Sequence, residues 1–290
     1  GVEIVASQGY LPSQFLNPKV NVRTDEYGGS FENRLRFLRE IIENIRSKVG
    51  DFVIGMRISG NEKDTAGLDD KQAADICEAL DGSDSADYFS VCGGTSATLG
   101  GSVHIAPPMF FDAGYVEPYA ANVKSRVSKP IFVAGRFNQP QIAEKMLRAG
   151  SADMCAMTRA LICDPQMPVK TKSGRLDDVR ACIGCNQACI GHILLGYPVS
   201  CIQHPETGRE LQYGTRAPAV EPRTILVAGG GPAGMKAAAV ASERGHQVTL
   251  YEQTSQLGGQ TLLAQLLPRR AEFGGIATNL TREVELAGVE

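Results

Sequence analysis

An α/β fold is predicted for the first part of this chain by three features of residues 1 to 170. Short apolar runs recur, amphipathic stretches lie between them, and turn residues mark the junctions. Parallel strands joined by helices use such an alternation. The predicted strands are Gly1 to Val5, Phe52 to Ile58, Tyr88 to Cys92, Pro130 to Ala134 and Asp153 to Met157. Between the first two, FENRLRFLREIIENIRSKVG sets Leu35, Leu38, Ile41, Ile42 and Ile45 on one helical face, with Ser30 to cap it and Gly50 to end it. DDKQAADICEAL and QPQIAEKMLRAG repeat that layout, with Gly150 as a C-terminal cap. Five β/α units are too few to close an eight-stranded barrel, which takes about 250 residues. Topology alone therefore leaves an open doubly wound sheet in play.

The chain has 290 residues, 43% hydrophobic and 21% charged, enough for a large core or two domains. A net charge of −3 supplies no basic field for nucleic acid. No apolar run approaches the roughly 18 residues of a membrane span. The expected partner is a small-molecule substrate, with neither nucleic acid nor membrane. Eight cysteines, four of them clustered and the others scattered at Cys77, Cys92, Cys155 and Cys163, do not form a secreted disulfide framework and fit a reducing cytoplasm. The opening GVEIVASQGY carries no signal-peptide pattern and reads as a strand already under way, and AGVE ends within a helical pattern. A fragment cut at both ends of a longer protein is the expectation.

Cys182, Cys185, Cys189 and Cys201 recur as C-x2-C-x3-C-x11-C in CIGCNQACIGHILLGYPVSC. Three thiols within eight residues and a fourth after one loop suit a thiolate-held iron–sulfur cluster. A structural zinc site stays open, although zinc-ribbon spacing asks for two C-x2-C pairs. After the polar linker GTRAPAVEPR, TILVAGGGPAGMKAAAVASERGHQVTLYE reads as strand, glycine-rich turn, helix and second strand. Gly229, Gly231 and Gly234 form G-x-G-x-x-G, and Glu252 ends the second strand where an acid suits a ribose hydroxyl. Upstream, Arg57, Arg136 and Arg159 follow or end predicted strands, where a barrel gathers its chemistry and its phosphate contacts.

The stretch GYLPSQFLNPKVNVRTDEYGGSFENRLRF resembles the old yellow enzyme group of NADH:flavin oxidoreductases. VAGRF, MTRALICDP, CIGCNQACI and VAGGGPAG extend that resemblance to its long iron–sulfur members, similar to 2,4-dienoyl-CoA reductase and trimethylamine dehydrogenase. The resemblance implies the C-terminal five β/α units of an FMN-binding (β/α)8 TIM barrel in residues 1–175. It implies a [4Fe–4S] segment in residues 176–214, a linker in 215–222, and in 223–290 the start of a Rossmann-like domain for FAD and NAD(P)H. In the amine dehydrogenases that last part holds only ADP. Arg57 is implied near the flavin pyrimidine, Gly135, Arg136, Thr158 and Arg159 at the FMN phosphate, and the four clustered cysteines on iron. Ala233, Glu252, Gln260 and Arg270 match FAD contacts, together with the three glycines.

Tyr10 matches the reductases' proton-donor tyrosine. Their assisting histidine is replaced by Ala97, which leaves His104 as a displaced candidate, and Val5 and Gln8 stand where the amine enzymes carry a tyrosine and a histidine. The implied reaction is NAD(P)H-driven reduction of an activated C=C bond through FAD, the cluster and FMN. The alternative is demethylation of an N-methyl amine, with electrons leaving to an external acceptor.

Overall fold

The computed structural model describes residues 1–83 and 85–290 and divides into two compact units. The first comprises Gly1–Pro107, Phe111–Phe137 and Gln141–Met157. The second comprises Pro108–Phe110, Asn138–Pro140 and Thr158–Glu290.

In the first unit the strands β1 (Val2–Ala6), β2 (Ile54–Asn61), β3 (Tyr88–Gly93), β4 (Ile131–Ala134) and β5 (Met154–Ala156) are all parallel. They lie side by side in the order in which they occur in the chain. Crossovers between parallel strands share one hand, so an order that never reverses puts every connecting helix on the same face of the sheet. A doubly wound sheet needs a reversal. The unit is therefore an arc of a (β/α)8 barrel.

The pairing register assigns the side chains. Ile4, Met56, Phe89 and Ile131 form one row across β1 to β4, on the face where Ile54, Ile58, Val91 and Val133 also point. All are buried in one cluster with Leu35, Leu38 and Ile42 of α2 (Phe31–Val49), Ala73, Ile76 and Leu80 of α3 (Asp70–Asp81) and further helical side chains. The opposite face carries the row Val5, Arg57, Ser90, Phe132 and Met154, with Glu3, Ser59 and Tyr88 beside it. Val5 and Met154 are exposed.

The helices follow their signals. Ser30 caps α2 by accepting from the Asn33 amide at 3.2 Å, and Gly50 ends it at φ 62°. Asp69 opens α3 with a reciprocal capping box to Gln72. The predicted strand ends shift: β2 starts two residues after Phe52 and runs three beyond Ile58, so Arg57 lies in mid-strand and not at its end. The short helices α1 (Leu11–Leu16), α4 (Leu99–Ser102) and α5 (Glu117–Lys124) escaped sequence reading, because each is too brief to show an apolar period; α6 (Pro140–Arg148) completes the unit.

The second unit holds α7 (Thr158–Cys163), α8 (Met167–Lys172), α9 (Ile190–Leu194) and α10 (Glu210–Tyr213) around the cysteine segment. Then come β6 (Thr224–Ala228), α11 (Pro232–Glu243), β7 (Gln247–Tyr251), α12 (Thr261–Ala264) and α13 (Gly274–Leu286). β6 and β7 pair in parallel, and Met235 and Ala239 of α11 bury against Ile276, Leu280 and Val284 of α13. The chain does not end in mid-helix as expected. α13 stops at Leu286, and the Glu290 backbone hydrogen-bonds both Val248 and Leu250 of β7.

Phe89 is fully buried in the middle strand. Phe89→Ala is expected to cost about 3–5 kcal/mol, read as a lowered urea midpoint, whereas Val5→Ala on the open face should stay within about 0.5 kcal/mol.

Candidate active site and cysteine cavity

Tyr10 sits where β1 gives way to α1. Gln8 and Gly9 take left-handed conformations, φ 58° and 75°, which turn the chain so that Tyr10 precedes the first helical residue. The turn is tied down on three sides. Ser59 Oγ accepts from the Gln8 amide at 2.9 Å, and Ser96 donates to the Gln8 carbonyl through its amide and its hydroxyl, each at 2.8 Å. Glu62 Oε1 accepts from the Gly9 amide at 3.2 Å and from the Ser13 hydroxyl at 2.6 Å, and its Oε2 accepts from the Leu68 amide at 2.9 Å. Glu62 is only 2% exposed, and a carboxylate is tolerated there because three donors replace its water. Sequence reading missed it; a lone acid just past the end of a predicted strand was the available signal.

Tyr10 itself is 51% exposed, and its hydroxyl has no hydrogen-bond partner among the described residues. A Cβ on Gly9 would lie 2.5 Å from Thr95 Oγ1 and 3.7 Å from the Ala97 methyl, so Ala97 does border this turn but brings no proton. His104 is engaged elsewhere. Tyr115 Oη donates to the His104 carbonyl at 3.2 Å, which leaves the Tyr115 oxygen to accept from His104 Nδ1–H at 3.1 Å. The imidazole also packs 4.5 Å from the Phe111 ring. Burial first, and the Lys63 charge second, push it down from the usual histidine range.

On the open face of the sheet the Arg57 guanidinium pairs with Glu3, Nε to Oε1 at 2.8 Å, and Tyr88 donates its hydroxyl to the other Glu3 oxygen at 3.1 Å. Tyr88 stacks on Phe132 with ring centres 4.5 Å apart. After β4, a Cβ on Gly135 would lie 2.3 Å from the Val116 side chain, and Arg136 adopts φ 56° and is 6% exposed. In the second unit, Thr158 and Arg159 open α7, and Arg159 Nη1 donates to Asn186 Oδ1 at 2.6 Å within the cysteine segment.

Cys182, Cys185, Cys189 and Cys201 line one cavity together with Ile162, Ile183 and Ala188. Amides are aimed at their sulfurs. Gly184 N–H donates to Cys182 Sγ at 3.4 Å, Gln187 N–H to Cys185, and Gln203 and His204 N–H to Cys201. Burial pushes the Cys182 thiol up and takes that of Cys185 up to about 11, whereas a hydrogen bond from Cys163 pulls Cys201 down and holds Cys163 itself protonated. Among the described residues no three His, Cys, Asp or Glu side chains are grouped tightly enough for a single metal ion. The spacing motif thus brings its four thiols to one cavity.

The glycine turn between β6 and α11 has the expected build. Gly229 takes φ 106°, Gly231 caps α11, and a Cβ on Gly234 would fall 2.0 Å from the Gly229 carbonyl. Glu252 Oε2 accepts from the Gly230 amide at 2.7 Å and Oε1 from the Thr254 amide at 2.9 Å, so this carboxylate also braces the turn. Ala233 and Gln260 are exposed, and the Arg270 guanidinium lies 4.8 Å over the Phe110 ring.

Residues 1–178 match the NADH:flavin oxidoreductase / NADH oxidase family. The chain belongs to that family. Residues 224–285 match the FAD dependent oxidoreductases. Among family relatives, a metal reductase of Desulforamulus reducens is 39% identical over 291 residues, covering 100% of this chain and 43% of its own length. An N,N-dimethylglycine/sarcosine dehydrogenase of Chromohalobacter salexigens is 40% identical over 281 residues, covering 95% and 40%. The solved complex of 2-naphthoyl-CoA reductase with 2-naphthoyl-CoA superposes with a TM-score of 0.93 at 33% identity, covering 100% of this chain and 44% of that one. The chain thus spans about two fifths of the length of the curated relatives it matches. Among the described residues no helix is long and apolar enough to cross a membrane.

The depressed His104 predicts an acid-sensitive contribution. Because the folded state takes up this proton less readily than the unfolded chain, stability is full above about pH 6.5 and drains as pH falls through that value. His104→Gln is expected to flatten the loss of urea stability between about pH 7 and about pH 5.

Proposed function

We propose that this chain belongs to an NAD(P)H-driven reductase of activated C=C bonds, acting on enoyl or dienoyl thioesters or related unsaturated small molecules. The observation that carries the reading is Tyr10: an exposed, unpartnered phenol fixed at the carboxyl end of β1. Such a group gives its Oη proton to the carbon next to the one that takes hydride. Val5 and Gln8 support the same side. Val5 is aliphatic, and Gln8 directs its amide to Cys92 Sγ at 3.9 Å, so neither offers a cage for a substituted ammonium.

The residues present fit the cofactors of this reading. Bound flavin supplies hydride transfer, and a thiolate-held iron–sulfur cluster supplies single-electron transfer. Cys182, Cys185, Cys189 and Cys201 would hold the cluster, since N–H groups already point at three of their sulfurs, the arrangement a set of thiolates requires. Arg57 would place positive charge beside an anionic flavin ring, with Glu3 fixing its guanidinium. Arg136 in the first unit, and Thr158 and Arg159 in the second, each match a phosphate-contact position of the resemblance, and Gly135 holds the Arg136 backbone where a larger residue collides with Val116. Gly229, Gly231, Ala233 and Gly234 would receive the FAD pyrophosphate at the start of α11, with Glu252, Gln260 and Arg270 at its edges.

A second reading has one observation in its favour, the 40% identity to a dehydrogenase named for N,N-dimethylglycine and sarcosine. There an N-methyl amine would be the electron donor and an external acceptor the partner.

Tyr10→Phe in the full-length protein is expected to lower C=C reduction about 10²–10⁴-fold while NADPH still bleaches the flavin at the parent rate in rapid mixing. Undiminished enone turnover would remove Tyr10 from the chemistry. Anaerobic mixing with NADPH, and separately with dimethylamine or N-methylproline, is expected to bleach the flavin with NADPH; bleaching by the amine alone would overturn the reductase reading.

A further inference from the structure

The polar contacts behind Arg57 begin at a glycine. Glu3, Gly55 and Tyr88 stand at one level across β1, β2 and β3, on the face opposite the aliphatic core. A Cβ on Gly55 would lie 2.0 Å from Tyr88 Cζ, so the phenol ring lies directly over the Gly55 backbone. That bare backbone lets the ring cross β2. The hydroxyl thereby reaches a strand that β3 does not pair with, and Oη donates to Glu3 Oε2 on β1 at 3.1 Å. Phe132 of β4 stacks on the same ring, with centres 4.5 Å apart and planes 22° from parallel. Burial first, and Glu3 second, push the phenol up, so it keeps the proton it donates. Glu3 presents its other oxygen to Arg57 and accepts from Nε at 2.8 Å. A hold at Nε fixes the plane of the guanidinium and leaves its Nη groups, which have no hydrogen-bond partner among the described residues.

We propose that Tyr88 is a positioning residue for the flavin site: its hydroxyl, carried over Gly55, holds Glu3 and draws charge off that carboxylate, so that the field of Arg57 at the reduced FMN is less cancelled and the FMN reduction potential is raised. The inference rests on the placement of Arg57 beside the flavin pyrimidine given above. Two electrons and one proton take the neutral oxidised flavin to its anionic reduced form, and positive charge nearby favours that form. Glu3 acts on this balance in two ways. Its oxygen orients the guanidinium, and its charge opposes that of the guanidinium. A hydrogen bond from a neutral phenol weakens the second effect and leaves the first in place.

The test is a potentiometric titration of the full-length holoprotein, followed in the flavin absorbance, with FMN content measured for every variant. Arg57→Gln marks the FMN couple as the one it lowers. Tyr88→Phe, which keeps a ring over Gly55 and against Phe132, is expected to retain FMN and to lower the reduced-to-oxidised ratio of that couple at a fixed potential about threefold. Glu3→Gln, whose amide oxygen can still accept from Arg57 Nε, is expected to raise the same ratio about tenfold. General loosening of the sheet would move both variants one way, so opposite shifts are the signature. If the FMN couple stays in place in FMN-replete Tyr88→Phe and Glu3→Gln while Arg57→Gln moves it, the proposal is overturned and the placement of Arg57 survives. Shifts of one sign in both variants overturn it as well. A couple that Arg57→Gln leaves unmoved removes Arg57 from the flavin, and the proposal goes with it.

Discussion

The constraint on which the first unit depends is an order of strands that never turns back. With β1 to β5 laid down in sequence, right-handed crossovers can stack helices on one face only. That face takes the aliphatic rows of β1 to β4, and the hydrophobic contribution of the unit is concentrated there. The other face carries polar groups, among them the partly exposed Glu3–Arg57 pair, the buried Ser59 and Ser90, and Tyr88.

Two buried polar networks fix positions, one in each unit. In the first, Glu62 gathers the Gly9 amide, the Ser13 hydroxyl and the Leu68 amide, so the turn carrying Tyr10 is fastened by a carboxylate with no water of its own. A neutral replacement cannot satisfy all three donors, and a donor left unpaired in such a site costs about 1–3 kcal/mol. In the second, Asn279 and Gln203 join α13 to the loop after Cys201, so the dinucleotide module and the cysteine segment share one hydrogen-bonded seam.

Periodic features were legible in the sequence and point contacts were not. The caps at Ser30 and Asp69, the five strands, the glycine turn at Gly229 and the cysteine spacing could all be read, because each depends on residues near one another in the chain. Barrel against doubly wound sheet could not be decided from the residues themselves, since both use the same β/α units and differ only in strand order; the resemblance pointed to the barrel, and the strand order carries the physical reason. Glu62 and Cys163 went unread for a different reason. Their partners lie 49 and 40 residues away, at Ser13 and Gln203, and nothing local in ISGNEKD or MTRALICDP marks either as buried. Glu252 was read as a ribose ligand; the structure shows it accepting from the Gly230 and Thr254 amides, contacts that spacing alone does not reveal.

The split between reductase and amine dehydrogenase reflects where this scaffold is rigid and where it is free. The positions proposed for cofactors sit on backbone that is over-determined: the left-handed Arg136 follows a glycine whose Cβ would collide with Val116, and amides are aimed at the cysteine sulfurs. The positions around the proposed proton donor are less constrained. Val5 and Tyr10 are exposed, Ala97 is a methyl beside the turn, and none of them supports a buried network. Under the proposed reading, a scaffold of this kind would keep its cofactor positions while exchanging the groups near Tyr10, so overall identity to a relative of either class says little about the reaction. The weight falls on the few side chains at the open end of β1, where a phenol is present and an ammonium cage is not.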